Sequence, residues 1–155
     1  MPIHRLNIKP SRRAILADLT CDSDGKMDQF IDLRDVKHFL ELHPKNGEPY
    51  YVASFLVGAY QEILGDLHNL FGDTDAVHIR VDGDDYRVEH VVEGDSVTEV
   101  LSYVQYSKDD LISRVRRAVD AAVRDKRLTA VESGRLMRRY EEGLEGSTYL
   151  TVEGA

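Results

Sequence analysis

The sequence contains one cysteine, no tryptophan and four prolines among its 155 residues. A single cysteine cannot form an internal disulfide, so the chain is not a disulfide-stapled scaffold. The longest nearly apolar run, residues 50–60, is about half the length that a membrane-spanning helix needs. The first thirteen residues lack the apolar stretch of a signal peptide, so we expect a cytoplasmic protein with no membrane partner.

Basic residues are also in the minority. The chain has 20 Lys and Arg residues against 28 Asp and Glu residues, which gives a formal net charge of -8. An excess of negative charge disfavours binding to nucleic acid and to anionic membrane surfaces. Neutral or cationic partners are therefore expected. At 17.6 kDa and 42% hydrophobic residues, the chain is large enough to bury a core of its own.

The apolar pattern has the period of strands up to about residue 94 and the period of helices after it. Alternation predicts strands over 13–20, 37–43 and 52–57 and in the two arms of a hairpin around the "DGDD" turn at 82–85. A helix is predicted over 59–70. Strands followed by helices predict an α+β fold.

Three helix N-termini are predicted by Ser or Thr followed three residues later by an acid. These pairs are Ser96 with Glu99, Ser107 with Asp110, and Thr129 with Glu132. Apolar stripes after the second and third pairs predict a helical hairpin joined at 125–128.

The most unusual segment is "LTCDSDGKMD", residues 19–28, which places the only cysteine, Cys21, beside Asp22, Asp24 and Asp28. An EF-hand loop needs oxygen ligands at positions 1, 3 and 5 and glycine at 6. Here lysine stands at the fifth position and glycine at the fourth, so calcium binding is not expected. An exposed turn with a buried structural cysteine remains open as an interpretation.

The histidines do not form a metal-binding pattern. His38 and His43 are five residues apart on a predicted strand, so they should face opposite sides, and no HExxH motif occurs. The spacing of these residues does not exclude a Cys-His or Ser-His-Asp nucleophile. However, no GxSxG motif is present, and no sequence motif links a histidine to Cys21.

Four longer strings carry a family resemblance: "PIHRLNIKPSRRAILADLTCDSDGKMDQFIDL", "FLVGAYQEILGDLHNLFGDTDAVH", "EGDSVTEVLSYVQY" and "EEGLEGSTYL". In this order they closely resemble the C-terminal part of the biosynthetic arginine decarboxylases. These are pyridoxal-phosphate enzymes related to ornithine and diaminopimelate decarboxylases. The resemblance covers nearly the whole chain.

The resemblance implies a partial, Greek-key-like β-sandwich at 1–94 and a small helical domain at 95–155. Family members also have an N-terminal barrel that carries the cofactor-binding lysine. A barrel of roughly 250 residues does not fit into this chain, so we expect a fragment or split gene product that is inactive alone. A non-catalytic oligomerisation or regulatory module is the alternative.

The resemblance also implies roles for the acidic turn in converting arginine to agmatine and carbon dioxide, in polyamine biosynthesis. Cys21 aligns with the residue that protonates the substrate α-carbon after carbon dioxide leaves. Asp22 aligns with the acid that binds the distal cation of the substrate, with Asp24 assisting. In the family this turn reaches across a dimer interface into the partner subunit, which implies a homo-oligomer.

A second site is implied by "GAY", residues 58–60. Tyr60 aligns with a tyrosine that contacts the phosphate of pyridoxal 5'-phosphate, and Gly58 allows close backbone approach. Without the resemblance, Tyr60 is interpreted as a tyrosine packed between a strand and a helix. The family likeness also suggests Mg²⁺ as a second cofactor.

Overall fold

Residues 1–18, 24–58 and 66–149 are described by the structure, which is a computed structural model. They form two compact units, one within residues 1–58 and one within residues 59–151. The predicted α+β class is confirmed, because antiparallel strand pairs come first and the α-helices of the described ranges follow residue 94. The domain boundary between residues 94 and 95 stays a prediction.

Short strands in antiparallel pairs build the first unit. Their bounds are β1 (Arg12–Ala14), β2 (Leu16–Ala17), β3 (Lys26–Met27), β4 (Phe30–Ile31), β5 (Val36–Lys37) and β6 (Leu40–Leu42). β2 pairs with β3 and β4 with β5, while β1 pairs with β6. The β2–β3 and β4–β5 hairpins therefore follow one another along the chain between β1 and β6, which pair with each other. Leu40, opposite Ala14 in that pairing, is buried.

The buried strand predicted over 52–57 is wrong. Val52 forms a single antiparallel bridge with Pro2, and residues 54–57 are exposed. A buried strand needs a hydrogen-bonded ladder and extended backbone angles. Leu56 instead has a φ of 60°, which interrupts extended backbone. The strand predicted over 13–20 is also divided, because β1 and β2 are separated at Ile15.

The predicted hairpin opens the second unit as β7 (Ala76–Asp82) and β8 (Asp85–Val92). Gly83, the first of the two turn residues, has a φ of 65°, as a two-residue hairpin turn of type II′ requires. The pairing shifts between His78 and Ile79, which leaves Glu89 without a counterpart on β7. Such a bulge bends its strand and increases the local twist.

The three predicted N-caps begin α1 (Val97–Tyr103), α2 (Lys108–Arg124) and α3 (Ala130–Glu145). Ser96 and Thr129 form reciprocal capping boxes with the glutamates three residues on. At Ser107 the side chain accepts only the Asp110 N–H. In the part of the chain that the structure describes, no helix is long and apolar enough to cross a membrane.

α2 and α3 form the predicted helical hairpin. Lys126 has a φ of 58° in the connection, and its N–H donates to the Val123 carbonyl while the Arg127 N–H donates to the Ala122 carbonyl. This is a Schellman ending with lysine where glycine is usual. The buried apolar residues of this unit are Val100 of α1, Val119 and Ala122 of α2, and Leu144 of α3.

The helix predicted over 59–70 lies mostly outside the described residues, because 59–65 belong to none of the described ranges. Its last residues, His68–Leu70, form a short 3-10 turn in which Asn69 has a φ of 51°. An α-helix therefore does not extend to Leu70.

Hydrogen bonds join residues 72–73, Asp95 and Tyr149 of the second unit. We call this set of bonds the 73–95 clasp. The Asp73 N–H donates to the Asp95 carboxylate at 2.8 Å, and the Asp95 N–H donates to the Asp73 carbonyl at 2.9 Å. The Tyr149 hydroxyl donates to the Gly72 carbonyl at 2.7 Å. Burial raises the pKa of Tyr149, and the carboxylates of Asp73 and Asp95 raise it further.

Candidate functional site

The acidic turn follows β2, which pairs with β3. Leu16 lies opposite Met27, and the Asp18 N–H donates to the Gly25 carbonyl at 2.9 Å, which extends the ladder by one pair. The Gly25 N–H in turn donates to the Asp18 carboxylate at 3.1 Å. Residues 19–24 therefore connect two paired strands at a defined place in the first unit.

Asp28, one residue beyond β3, has an internal cationic partner. Its carboxylate accepts a hydrogen bond from Lys26 Nζ at 2.9 Å. This hydrogen bond is the largest cause of a lowered pKa at Asp28, and the positive charge of Lys26 lowers it further against the opposing effect of desolvation. The lysine that breaks the calcium pattern is thus engaged with an acid of the same segment.

Some of the predicted site residues lie within the described ranges and others lie outside them. Cys21, Asp22 and Tyr60 lie outside the described residues, so their roles stay predictions. Asp24 is exposed on the β3 side of the turn. Gly58 is exposed as well, with no atom within 4 Å of the position that a Cβ would take.

The space at Gly58 bears on the implied cofactor. A phosphate oxygen can approach the backbone there, because a side chain is missing and no neighbour fills the space. This open space is compatible with a phosphate contact, and Gly47, Gly83, Gly134 and Gly143 share it. Within 1–18, 24–58 and 66–149, no group of three His, Cys, Asp or Glu side chains that could hold a metal ion is found. No residue is assigned to Mg²⁺.

A buried histidine cluster in the first unit was not found by sequence reasoning. His43 Nε2 lies 2.8 Å from the Ile8 carbonyl and Nδ1 lies 2.7 Å from the Tyr50 hydroxyl. Since a carbonyl only accepts, Nε2 carries the proton and Nδ1 accepts from Tyr50. The Arg5 guanidinium lies 5.6 Å from the centre of the Tyr50 ring. His43 is thus a satisfied structural histidine, and its partners are too far apart in sequence for any local pattern to indicate them.

The helical segment of the second unit matches a known family. Residues 97–150 match the family described as the arginine decarboxylase C-terminal helical extension. The match covers α1, α2 and α3. This part of the molecule is therefore similar to the helical extension found in arginine decarboxylases.

Similar proteins match over nearly the whole chain. Over 97% of its length the chain is 60% identical to the biosynthetic arginine decarboxylase of Nostoc sp.. Over 99% it is 59% identical to that of Gloeobacter violaceus. The crystal structure of the biosynthetic arginine decarboxylase from Campylobacter jejuni covers 100% of the chain at 29% identity, with a TM-score of 0.78. Nearly the whole chain is therefore similar to one part of the biosynthetic arginine decarboxylases.

The chain spans about a quarter of the length of these relatives. It covers 22% of the Nostoc protein, 25% of the Gloeobacter protein and 25% of the Campylobacter chain.

Proposed function

We propose that the chain is the C-terminal part of an arginine decarboxylase that forms agmatine and carbon dioxide from L-arginine in polyamine biosynthesis. The observation that carries this proposal is the 60% identity to a biosynthetic arginine decarboxylase over 97% of the chain. The strand-paired base of the acidic turn supports it, because catalytic side chains need a rigid support to hold their geometry.

Within this proposal the acidic turn supplies a proton donor and a cation-binding acid. Cys21 transfers its thiol proton to the substrate α-carbon after carbon dioxide has left. Asp22 accepts hydrogen bonds from the guanidinium of arginine, a planar group that matches a carboxylate. Asp24 adds negative charge at the same end of the turn.

The cofactor of the proposed enzyme is pyridoxal 5'-phosphate, which when bound withdraws electrons from the α-carbon and so permits decarboxylation. On this chain, the Tyr60 hydroxyl and the open backbone at Gly58 would contact its phosphate. The cofactor-binding lysine would come from a barrel outside these 155 residues. The turn would act across a dimer interface, so the working enzyme would be a homo-oligomer in the cytoplasm.

A chimera tests the function. The aligned 22% of the Nostoc decarboxylase is replaced by this chain, pyridoxal 5'-phosphate is added, and agmatine is measured. The chimera should form agmatine and the 155-residue chain alone should not. A folded, cofactor-loaded chimera without agmatine formation would contradict the proposal and favour a non-catalytic module.

Substitutions in the chimera test the residue roles. Cys21→Ala should lower kcat by roughly 100- to 10,000-fold, the usual contribution of a positioned proton donor. Asp22→Asn should raise the KM for arginine about ten- to a hundredfold, because a hydrogen bond to a charged group is lost. Asp84→Asn is the matched control, since it removes the same charge from an exposed hairpin turn. Undiminished turnover in Cys21→Ala would refute the proton-donor role.

A further inference from the structure

The two faces of the β7–β8 hairpin differ sharply in chemistry. Along one face, each cross-strand pair is apolar: Val77 with Val91, Ile79 with Val88, and Val81 with Tyr86. We call these six side chains the apolar face of the hairpin. Residues that alternate with them point to the other side of the pleat.

The opposite face is polar. It carries His78 opposite His90, Arg80 opposite Arg87 and Asp82 opposite Asp85, and an apolar pair, Ala76 with Val92, lies at the end far from the turn. The two histidine rings lie 5.7 Å apart, and the Arg80 guanidinium pairs with the bulged Glu89 at 2.5 Å. Two arginines directly across a strand pair repel one another unless water screens them. This face is therefore suited to solvent.

All six side chains of the apolar face are more than half exposed, from 51% at Val77 to 72% at Val81. Antiparallel sheets normally keep such a face against a core and only the polar face in water. A contiguous apolar patch of this kind marks an interaction surface. The free energy gained on burial grows with the apolar area removed from water, so six such side chains together favour association.

The length of the matched decarboxylases and the net charge of the chain indicate what covers the apolar face of the hairpin. About three quarters of the polypeptide in the matched decarboxylases has no counterpart in this chain, since it covers 25% of the solved Campylobacter chain. A second copy is a poorer candidate, because each copy carries a net charge of -8 and like charges repel.

We propose that the apolar face of the hairpin packs against an apolar surface contributed by the other three quarters of the decarboxylase polypeptide, with the His78–Arg80–Arg87–His90 face left in water. This inference rests on the proposed function in one respect, namely that the chain works as part of a longer decarboxylase. It goes further by naming the residues that join the two parts.

Hydroxyl-radical footprinting of the chimera described above tests the proposal without using activity. Tyr86, Ile79 and Val88 report on the apolar face, while His78 and His90 on the same strands report on the polar face. Oxidation at the apolar face should be about fivefold slower or more in the chimera than in the isolated chain, as a mostly exposed side chain becomes buried. Oxidation of the two histidines should stay unchanged.

Three results would overturn the proposal. Equal oxidation of the apolar face in the chimera and the chain would mean that no cover exists. Equal protection of both faces would mean that the hairpin is not buried by its apolar side. Protection of the apolar face in the isolated chain at low ionic strength, where repulsion between copies is least screened, would assign the cover to a second copy if the mass in sedimentation were also doubled. An inactive chimera that protects only the apolar face would refute the proposed function and still support this inference.

Matched substitutions give a second readout. Ile79→Thr with Val88→Thr changes one apolar cross-strand pair and keeps branched side chains that suit strands. Arg80→Thr with Arg87→Thr is the control on the neighbouring pair. The first pair should lower the melting temperature of the chimera by several degrees and leave the isolated chain unchanged, whereas the control should affect neither. A chimera insensitive to the first pair would contradict the interface.

Discussion

Two glycines of the second unit show how differently one residue type is used. A Cβ placed on Gly94 would lie 2.3 Å from the Asp73 carbonyl oxygen and 2.9 Å from the Asp75 backbone nitrogen. These are backbone atoms at the 73–95 clasp, and they cannot yield as a flexible side chain could. Gly134 lies exposed inside α3, with no atom within 4 Å of the position that a Cβ would take. Packing therefore requires glycine at position 94 but not at position 134.

Alanine at the two positions should act in opposite directions. Gly94→Ala should reduce the free energy of unfolding by about 1–3 kcal/mol, the usual cost of overpacking. Gly134→Ala should raise it by about 1 kcal/mol, because alanine favours helix over glycine. Urea unfolding of the full chain measures both. Equal effects of the two substitutions would show that the close contact at Gly94 does not exist.

The Lys26–Asp28 pair at the acidic turn predicts a pH dependence. Because the folded-state pKa of Asp28 is lowered, mainly by the hydrogen bond from Lys26, the pair stabilises the turn above the unfolded pKa. That contribution is lost as the pH falls through the lower, folded-state pKa. Carboxyl-carbon NMR should show the lowered pKa in the chain and a return toward the ordinary value in Lys26→Gln. An Asp28 pKa unaffected by Lys26→Gln would contradict the pairing.

At the scale of elements, the helices of the second unit differ in how completely their first turns are capped. In the capping box of α3, Thr129 Oγ lies 3.2 Å from the Glu132 nitrogen, and the Glu132 carboxylate accepts from the Thr129 N–H at 2.8 Å. These bonds to Thr129 lower the pKa of Glu132. At α2, Ser107 Oγ lies 3.5 Å from the Asp110 nitrogen. Aspartate is one methylene shorter than glutamate, which accounts for the missing return bond.

Removal of the two caps should therefore have unequal costs. Thr129→Ala should lower the free energy of unfolding by about 1–2 kcal/mol and Ser107→Ala by about 0.5 kcal/mol, within the known range for N-caps. The difference should shrink as the pH falls through the lowered pKa of Glu132, since the protonated acid is a weaker acceptor. Thermal unfolding followed by circular dichroism at neutral and acidic pH tests this ranking, and a larger effect at Ser107 would reverse it.

At the scale of the whole molecule, exposed apolar area and net charge act against each other. Many large apolar side chains are exposed, among them Ile31 and Leu33 in the first unit and the apolar face of the hairpin in the second. Open strand edges and apolar patches promote association. The net charge of -8 opposes it by repulsion between copies.

The isolated chain should consequently associate more readily as salt is added. Screening shortens the range of the repulsion from about 30 Å at 0.01 M to about 10 Å at 0.1 M, while the apolar attraction remains. Sedimentation velocity at several salt concentrations should show the average mass rising with ionic strength. A single monomeric species at all salt concentrations would contradict this prediction.

The sequence determined the features that depend on neighbours along the chain. N-caps need two residues three apart, and the hairpin turn needs a glycine at one place, so Ser96, Thr129 and Gly83 were all indicated correctly. The strand that leads into the acidic turn was likewise predictable from its alternating residues, whereas its pairing with β3 was not. The family was recognisable from long strings whose information exceeds that of any short motif.

Tertiary structure decided the features that depend on residues far apart. The segment at 52–57 has the composition of a buried strand, yet its state depends on a partner strand, and composition does not specify one. The contacts of His43 with Ile8 and of Asp95 with Asp73 join residues 35 and 22 positions apart. At the candidate site, residue types alone describe a turn with a thiol and several acids. Its chemistry depends on what faces the turn, because a proton donor and a cation-binding acid act only on a substrate held in place from the other side.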